Sequence, residues 1–320
     1  MTARYVIGAD ENGLGPRLGP MTVTAVLARV TPEGQRVLER KPRGGLRSRL
    51  GDSKGLVSYG NVALAEAWAR ALVARGAGRH ERGSCPDDLV DAFTLDDRDA
   101  LTSDCPRHVE AQCWSAEGEV FVPADEMGDT LRLVQKDLAR LEKRGVEVMA
   151  VRSVVVCTRR LNDAVDEGKS RFVVDLHAME RLILAFRELA GEDVQAVCGK
   201  VGGFGAYGKV FGPLGGRLHA VIEEGRARSA YRFPGVGEIA FVRDSDDDNL
   251  LVGMASLVGK YLREVMMDRI VRHYRERDEE IQPASGYHDP VTEQFVVATE
   301  ALRRKSRVPA TCFERRKIGS

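Results

Sequence analysis

The sequence predicts an α/β fold, and three observations carry that prediction. Two runs rich in Val, Ile and Thr, residues 4–10 and 21–29, have the composition of strands. Apolar residues recur at helical spacing in several longer stretches, for example at Leu131, Val134 and Leu138. Strand-like and helical segments alternate along the chain, which favours a sheet with helices packed on it.

The predicted elements run from the first strand to a basic tail. A glycine loop joins the strands at 4–10 and 21–29, a helix lies within 51–76, and the weaker pattern of 76–130 indicates an insertion of short helices and loops. The later elements are a helix (126–145), a strand (146–158), a helix (175–192), a strand (193–201), a glycine-rich stretch, a strand that enters an acidic turn (237–248), the longest helix (249–277), a final turn and helix (284–304) and the basic tail (301–320).

Length and charge limit the classes of protein. A chain of 320 residues with 43% hydrophobic content suits one large α/β domain with an elaboration, or two smaller domains. Lys+Arg and Asp+Glu both number 48, so a site for a polyanion must be a local patch. The chain shows no secretory signal pattern and no apolar run of about 18 residues. Six cysteines in this length do not suggest a disulfide framework, so we expect a cytoplasmic protein.

The stretch "YVIGADENGLGPRLGP" places two acids, Asp10 and Glu11, at the end of the first strand. Adjacent strand residues point to opposite faces, so both can serve one site only where the strand ends. The following glycines and prolines predict that ending, and a carboxylate there suits Mg²⁺. An acidic pair on a solvated turn explains the residues equally well. The glycines at 13, 15 and 19 would let backbone N–H groups approach a ligand.

Three further groups are candidates for chemistry. "GDSKG" contains Asp52, Ser53 and Lys54, which would otherwise form an ordinary turn with a surface lysine. "MASLVGKYLRE" places Ser256, Lys260 and Glu264 at i, i+4 and i+8, a polar line on an otherwise apolar helix. "RDSDDDN", residues 243–249, has four aspartates that are either a cation site or a solvated turn.

Two other patterns are weaker. "GGFGAYG", residues 202–208, contains G-x-G-x-x-G, but the Pro213 that follows prevents a regular helix there, so a nucleotide-binding enzyme has little support. Lys200 and Lys209 flank that stretch and could meet phosphate. A second group, with loose spacing, would suit either a zinc site or buried free thiols: Cys85, Cys105, His108 and Cys113.

Taken in order, the segments resemble the type 2 ribonuclease H family, ribonucleases HII and HIII. The matching segments are "IGADENGLGPRLGPMTVTAVL", "GDSKGL", "ASLVGKYLREVMM" and "SGYHDPVT", between residues 5 and about 295. The resemblance implies a ribonuclease H-like fold: a mixed central sheet flanked by helices, with a divergent insertion at about 76–130 and a C-terminal helical part. The domain would span residues 1–300, followed by the tail.

The resemblance also implies an activity: metal-dependent cleavage of RNA in RNA–DNA hybrids, or of ribonucleotides embedded in DNA, by a monomer without a membrane partner. Two Mg²⁺ or Mn²⁺ ions would act together. The implied metal ligands are Asp10, Glu11 and Glu264. The implied substrate contacts are the backbone clamp on the ribose 2′-hydroxyl at Gly13, Leu14 and Gly15, the segment Asp52, Ser53 and Lys54, the helix residues Ser256 and Lys260, and Tyr287, which would stack on a sugar.

Three departures from the family pattern keep two functions open. Leu14 stands where the clamp has arginine, and Glu264 stands where the late helix has aspartate. Cys198 or Gly199 occupies the place of the third acid, so Asp244 or Asp246 would have to compensate, or Lys200 would fill a metal position. The first function is an active, divergent nuclease. The alternative is a relative that binds hybrid nucleic acid without cleaving it.

Overall fold

The computed structural model describes residues 4–75, 84–202 and 204–316. It confirms the predicted α/β class, with a seven-stranded mixed sheet flanked by helices. The strands are β1 (Arg4–Asn12), β2 (Met21–Val30), β3 (Val146–Val156), β4 (Val194–Gly199), β5 (Ala220–Glu224), β6 (Arg228–Phe233) and β7 (Gly237–Val242). The helices are α1 (Pro32–Leu38), α2 (Ser53–Leu56), α3 (Ala63–Val73), α4 (Pro86–Phe93), α5 (Arg98–Thr102), α6 (Arg107–Cys113), α7 (Ala124–Met127), α8 (Thr130–Lys143), α9 (Thr158–Asp166), α10 (Arg171–Ala190), α11 (Ser245–Asp248), α12 (Leu250–Arg275), α13 (Pro290–Ala298), α14 (Glu300–Lys305) and α15 (Ala310–Phe313).

The strand order is β3-β2-β1-β4-β7-β6-β5. β1 pairs with β4 in parallel and β4 pairs with β7 in parallel, while the other neighbours are antiparallel. The carboxyl ends of β1, β4 and β7 therefore meet at one edge of the sheet. Ligands of open α/β sheets bind at such an edge.

Both faces of the sheet are covered. One apolar cluster joins the sheet to α3, α8 and α12, and a second joins the opposite face to α10. At Gly8 a Cβ would lie 2.4 Å from the backbone of Leu251 and Val252, so only glycine lets α12 cross β1 this closely. That close crossing brings the polar line of α12 next to the end of β1.

The strands β5 and β6 were not anticipated from the sequence, which had suggested only a glycine-rich stretch before β7. β5 is the outermost strand and all five of its residues are exposed, so it lacks the apolar alternation of a half-buried strand. β6 is largely buried because Tyr231 and Phe233 pack with Tyr207 and Phe211. The glycine-rich stretch thus contributes aromatic side chains to the core.

The insertion and the tail are both partly helical. Residues 84–127 of the insertion form four short helices, α4 to α7, while residues 76–83 lie outside the described part of the chain. Residues 301–316 contain most of α14 and all of α15, and Arg315 near their end is buried. No described helix is long and apolar enough to cross a membrane.

A buried carboxylate on α10 links the glycine-rich stretch to the helix. Glu180 is fully buried and accepts N–H bonds from Gly212, at 3.1 Å, and from Leu214, at 2.7 Å. Burial raises the pKa of Glu180 to about 7, although those two bonds oppose the rise. Its protonated form is therefore favoured more in the folded protein than in the unfolded chain.

We expect Glu180 to make the protein less stable as pH rises. A raised folded-state pKa contributes stability that is complete below the ordinary value of 4.5 and is lost as pH rises through about 7. Over that window the loss is up to about 3 kcal/mol. Urea unfolding between pH 4.5 and 8 should show a flatter profile for Glu180→Gln than for the exposed control Glu188→Gln. Equal slopes in the two variants would contradict this expectation.

Candidate functional site

The acidic pair lies at the carboxyl end of β1. Asp10 and Glu11 point to opposite faces of the strand, as adjacent strand residues must. Asp10 lies towards α12, where the Ser256 hydroxyl and the Asp246 carboxylate act on it. Glu11 lies towards the cations Lys54, Arg315 and Arg263. The two acids therefore approach the edge of the sheet from both sides.

Burial dominates the electrostatics of both acids. It raises the pKa of Asp10 well above its ordinary value, and the charges of Glu11 and Asp246 raise it further. The pKa of Glu11 is also raised by burial, although Lys54, the Leu14 N–H and Arg315 oppose that rise. Two neighbouring carboxylates that resist ionisation create a strong preference for a positive charge beside them.

The "GDSKG" segment supplies one such charge. Asp52 caps α2 by accepting the Lys54 N–H at 2.8 Å. Ser53 Oγ lies 3.0 Å from Ser256 Oγ and accepts from Asn12 Nδ2 at 3.3 Å, which fixes α2 to both β1 and α12. Burial alone would lower the pKa of Lys54, but the surrounding carboxylates raise it. Lys54 is therefore an ammonium ion held among acids.

Close packing at Gly13 and a hydrogen bond to Glu11 hold the glycine loop in place. Gly13 has a φ of +90°, and a Cβ there would lie 2.9 Å from the Arg263 side chain and the Pro20 carbonyl. The Leu14 N–H donates to Glu11 Oε2 at 2.9 Å. A Cβ at Gly15 would meet nothing within 4 Å, so this position faces open space. Of the three predicted clamp residues, Gly15 has the most accessible backbone.

Arg315, in the tail, reaches this loop and was not among the predicted site residues. Its guanidinium donates to the carbonyls of Gly13 at 2.5 Å, Leu14 at 3.3 Å and Gly19 at 2.8 Å. The side chain is buried, and that burial lowers the pKa of Arg315 to about 9. No local sequence signal marks it, because the contact joins residues about 300 positions apart.

The polar residues of α12, Ser256, Lys260 and Glu264, do not all contact the same site. Ser256 lies at α2 and Asp10, whereas Lys260 and Arg263 both pair with Glu264, at 2.8 Å and 2.6 Å. All three of these charged residues are buried. The carboxylate of Glu264 is thus neutralised by two cations of its own helix.

Tyr287 lies over the same cations. The Arg263 guanidinium is 4.6 Å from its ring centroid and the Lys260 ammonium is 5.6 Å away. The Tyr287 side chain is 38% exposed, so part of the ring is available to a ligand. The predicted stacking residue therefore lies at the surface beside the glycine loop, where Gly286 accepts the Arg17 and Leu18 N–H groups.

The position of the missing third acid lies directly beside Asp10. Cys198 pairs in register with Ala9 and with Phe241, and a Cβ on Gly199 would lie 2.8 Å from Asp10 Oδ1. The Asp10 carboxylate thus fills the space that a side chain at 199 would need. Lys200 does not replace a metal, because its ammonium donates to Gly225 O and Ser229 Oγ, at 2.9 Å and 3.0 Å.

Of the two candidate compensating aspartates, Asp246 is the one near Asp10. Its charge contributes to the raised pKa of Asp10 and also acts on Lys54. Asp244 has a side chain that is 77% exposed and pairs with Arg243 at 3.4 Å. A further carboxylate, Asp175 on α10, was missed because it occupies one position of an ordinary amphipathic helix.

The donors fit a divalent cation by their chemistry. Asp10, Glu11, Asp175 and Asp246 offer the carboxylate oxygens that Mg²⁺ and Mn²⁺ prefer. Both oxygens of the buried Asp175 lack a hydrogen-bond partner. Within residues 4–75, 84–202 and 204–316, no group of three or more His, Cys, Asp or Glu side chains stands close enough together to hold a metal ion.

The predicted group of Cys85, Cys105, His108 and Cys113 is therefore not gathered into a zinc site, and its three cysteines are free thiols.

The "GGFGAYG" stretch packs as core. Tyr207 stacks on Phe241 with ring centroids 4.0 Å apart, and Lys200 lies 5.5 Å from the Tyr207 centroid. Between residue 204 and β5, the structure contains turns and no helix. A dinucleotide site needs a helix that begins at this motif, so this stretch does not support a nucleotide-binding enzyme.

Comparison with known proteins finds similar solved structures but no similar family model or curated protein. No protein-family model matches the chain, and no curated protein matches it. Solved structures similar to it include ribonuclease HII of Archaeoglobus fulgidus in a complex with PCNA (15% identity, 98% of this chain and 96% of that one, TM-score 0.40). They also include Bst-RNase HIII with Mn²⁺ (12%, 94% and 71%, 0.38) and Aquifex aeolicus RNase H3 (12%, 97% and 70%, 0.39). These structures belong to the same ribonuclease HII and HIII family that the sequence motifs resemble.

Proposed function

We propose that this chain is a divalent-metal-dependent endonuclease that cleaves the RNA strand of RNA–DNA hybrids, or cleaves at ribonucleotides embedded in DNA. One observation carries the proposal: the partly buried pair Asp10 and Glu11 meets Lys54 and Ser256 at a single edge of the sheet. These residues come from three separated segments whose order resembles the type 2 ribonuclease H family. Desolvated acids beside a cationic lysine suit a site for metal and phosphate.

The residues of the site divide into two roles. Asp10, Glu11 and Asp246 would hold the cations. The resemblance also implies Glu264 as a ligand, but its pairing with Lys260 and Arg263 disfavours that role. Bound Mg²⁺ or Mn²⁺ would activate water and stabilise the leaving oxygen. Lys54 would attract the scissile phosphate, because it is an exposed ammonium beside the acids of the same edge, whose charges raise its pKa.

The glycine loop and Tyr287 would select the substrate. Recognition of a 2′-hydroxyl distinguishes RNA from DNA, and an accessible backbone at Gly15 supports such a contact. The Leu14 N–H is occupied by Glu11, so a ribose contact there would compete with that bond. The partly exposed ring of Tyr287 would stack on a sugar.

The second candidate function is binding of hybrid nucleic acid without cleavage. It is favoured by the strand position next to Asp10, where Cys198 and Gly199 offer no oxygen ligand. Binding of that kind would weaken steeply with salt, since phosphate contacts dominate it. Activity measurements separate the two candidates.

We expect Asp10→Asn to reduce cleavage at least about 100-fold, because a metal contributes several kcal/mol to transition-state stabilisation. Cleavage of a hybrid, a single-ribonucleotide duplex and an all-DNA duplex would be measured in Mg²⁺ and in Mn²⁺. The control is Asp129→Asn, which removes an exposed aspartate paired only with Arg132 and should keep full activity.

Three results are informative. Cleavage by the native chain and by Asp129→Asn, but not by Asp10→Asn, supports the nuclease. Hybrid retained at low salt with no cleavage by any of the three proteins supports the binding function instead. A chain that neither cleaves nor retains hybrid at low salt rules out both.

A further inference from the structure

Asp175 lies on α10, on the face of the sheet that Glu11 approaches. The residue is fully buried, and neither carboxylate oxygen has a hydrogen-bond partner. The helix packs against β1, β2 and β4, and the charges of Glu11 and Asp10, at the carboxyl end of β1, act on this carboxylate. A buried carboxylate without a donor or a counter-charge is costly, and proteins retain few of them.

The groups around Asp175 are acidic. Burial raises the pKa of Asp175 well above its ordinary value, and the charges of Glu11 and then Asp10 raise it further. The nearest cation along the same helix, Arg171, donates instead to the Arg316 carbonyl. Asp175 therefore faces the acidic pair without a cation from its own helix.

Asp175 also reaches the place of the missing third acid. Burial raises the pKa of the Cys198 thiol, and the next two causes are the charges of Asp175 and Asp10. Cys198 is the strand position that the family resemblance assigns to an aspartate. A carboxylate from α10 thus lies beside the same backbone position that lacks one on β4.

We propose that Asp175 supplies to the divalent-cation site the carboxylate that the Cys198–Gly199 position lacks, delivered from α10 instead of from β4. The inference rests on the proposed metal-dependent function, which it deepens. Asp10 and Glu11 extend from β1, Asp246 from α11, and Asp175 from α10 on the opposite face. Within the described residues no three of these side chains stand close enough together to hold an ion, so a cation would have to draw them towards the end of β1. A cation there would satisfy the two unpaired oxygens of Asp175.

The competing explanation is a buried, protonated carboxylic acid with a purely structural role. The two explanations differ in what Asp175→Asn does. Asparagine keeps the shape but removes the charge, so either explanation predicts that the metal-free protein is at least as stable as before. Only the proposed ligand role predicts that binding of a cation weakens.

The test uses the full chain and Mn²⁺ alone. Thermal unfolding in increasing Mn²⁺, and counting of bound Mn²⁺ by electron paramagnetic resonance, would compare the native chain, Asp175→Asn and Asp129→Asn. We expect Asp175→Asn to bind Mn²⁺ at least tenfold more weakly, with unfolding in the absence of metal at the same or a higher temperature. Asp129→Asn should bind as the native chain does. If Asp175→Asn does not fold, Asp175→Ser removes the same charge with a smaller side chain.

The outcomes separate this inference from the function on which it rests. Equal Mn²⁺ affinity in the native chain and Asp175→Asn would overturn the ligand role while leaving the nuclease proposal intact. Absence of Mn²⁺ binding by the native chain, together with absence of cleavage, would overturn both. Weakened binding in Asp175→Asn together with an unchanged Asp129→Asn supports the ligand role.

Discussion

Arg315→Met will lower the free energy of unfolding by about 3–5 kcal/mol and will abolish binding of hybrid nucleic acid. The guanidinium of Arg315 donates to the backbone carbonyls of Gly13, Leu14 and Gly19, and the Gly19 carbonyl also accepts from Thr158 Oγ1 at 3.2 Å. Methionine fills much of the volume but donates nothing, and each buried acceptor left unpaired costs about 1–3 kcal/mol. The hydrogen bonds that are lost hold the glycine loop, which is the loop proposed to contact the ribose, so hybrid binding is lost as well.

The next residue offers a matched control. Arg316 pairs with Asp166 at 2.9 Å, and both side chains are about half exposed. An exposed pair contributes at most about 1 kcal/mol, so Arg316→Met should have little effect. Urea unfolding and hybrid retention at low salt would be measured for both variants. If Arg315→Met were as stable as Arg316→Met and retained hybrid equally well, the tail would have no role in shaping the loop.

The sequence predicted the parts of the fold that depend on local pattern. Residues 21–29 consist of six apolar residues, two threonines and Arg29, because β2 is buried on both faces, and the observed strand extends the prediction by one residue. The helical spacing at Leu131, Val134 and Leu138 likewise predicted α8. The sequence pattern predicts an element wherever the apolar residues of that element alone form its buried face.

The features that the sequence did not reveal depend on contacts between distant segments. β5 has the sequence AVIEE, in which the apolar residues are consecutive and do not alternate with polar ones, and all five residues are exposed, so it lacks the pattern of a half-buried strand. Arg315 is one arginine in a basic tail until the chain folds it against Gly13. Asp175 occupies a helix whose other residues follow an ordinary pattern, and only the packing of α10 on β1 reveals its neighbours.

Glu264 is the predicted ligand whose surroundings in the structure suggest a different use. We expect Glu264→Gln to lower the free energy of unfolding by about 3–5 kcal/mol, because it leaves Lys260 and Arg263 buried without their counter-charge. Thermal unfolding with and without Mn²⁺ would measure stability and metal binding in one experiment. The control is Glu300→Gln, which breaks an exposed pair with Arg304 on α14 and should change stability by less than about 1 kcal/mol.

The Mn²⁺ response of Glu264→Gln decides which role Glu264 has. Ser256 lies beside Asp10, and eight residues of helix separate it from Glu264, a rise of about 12 Å along α12. A carboxylate that distant, already paired with two cations, is poorly placed to share a metal with Asp10. We therefore expect the variant to unfold earlier yet keep its Mn²⁺-induced stabilisation. If Glu264→Gln lost that stabilisation while unfolding at the native temperature without metal, Glu264 would be a ligand, as the family resemblance implies. In that case the pairs of Glu264 with Lys260 and Arg263 would contribute less to the stability of the protein than metal binding does.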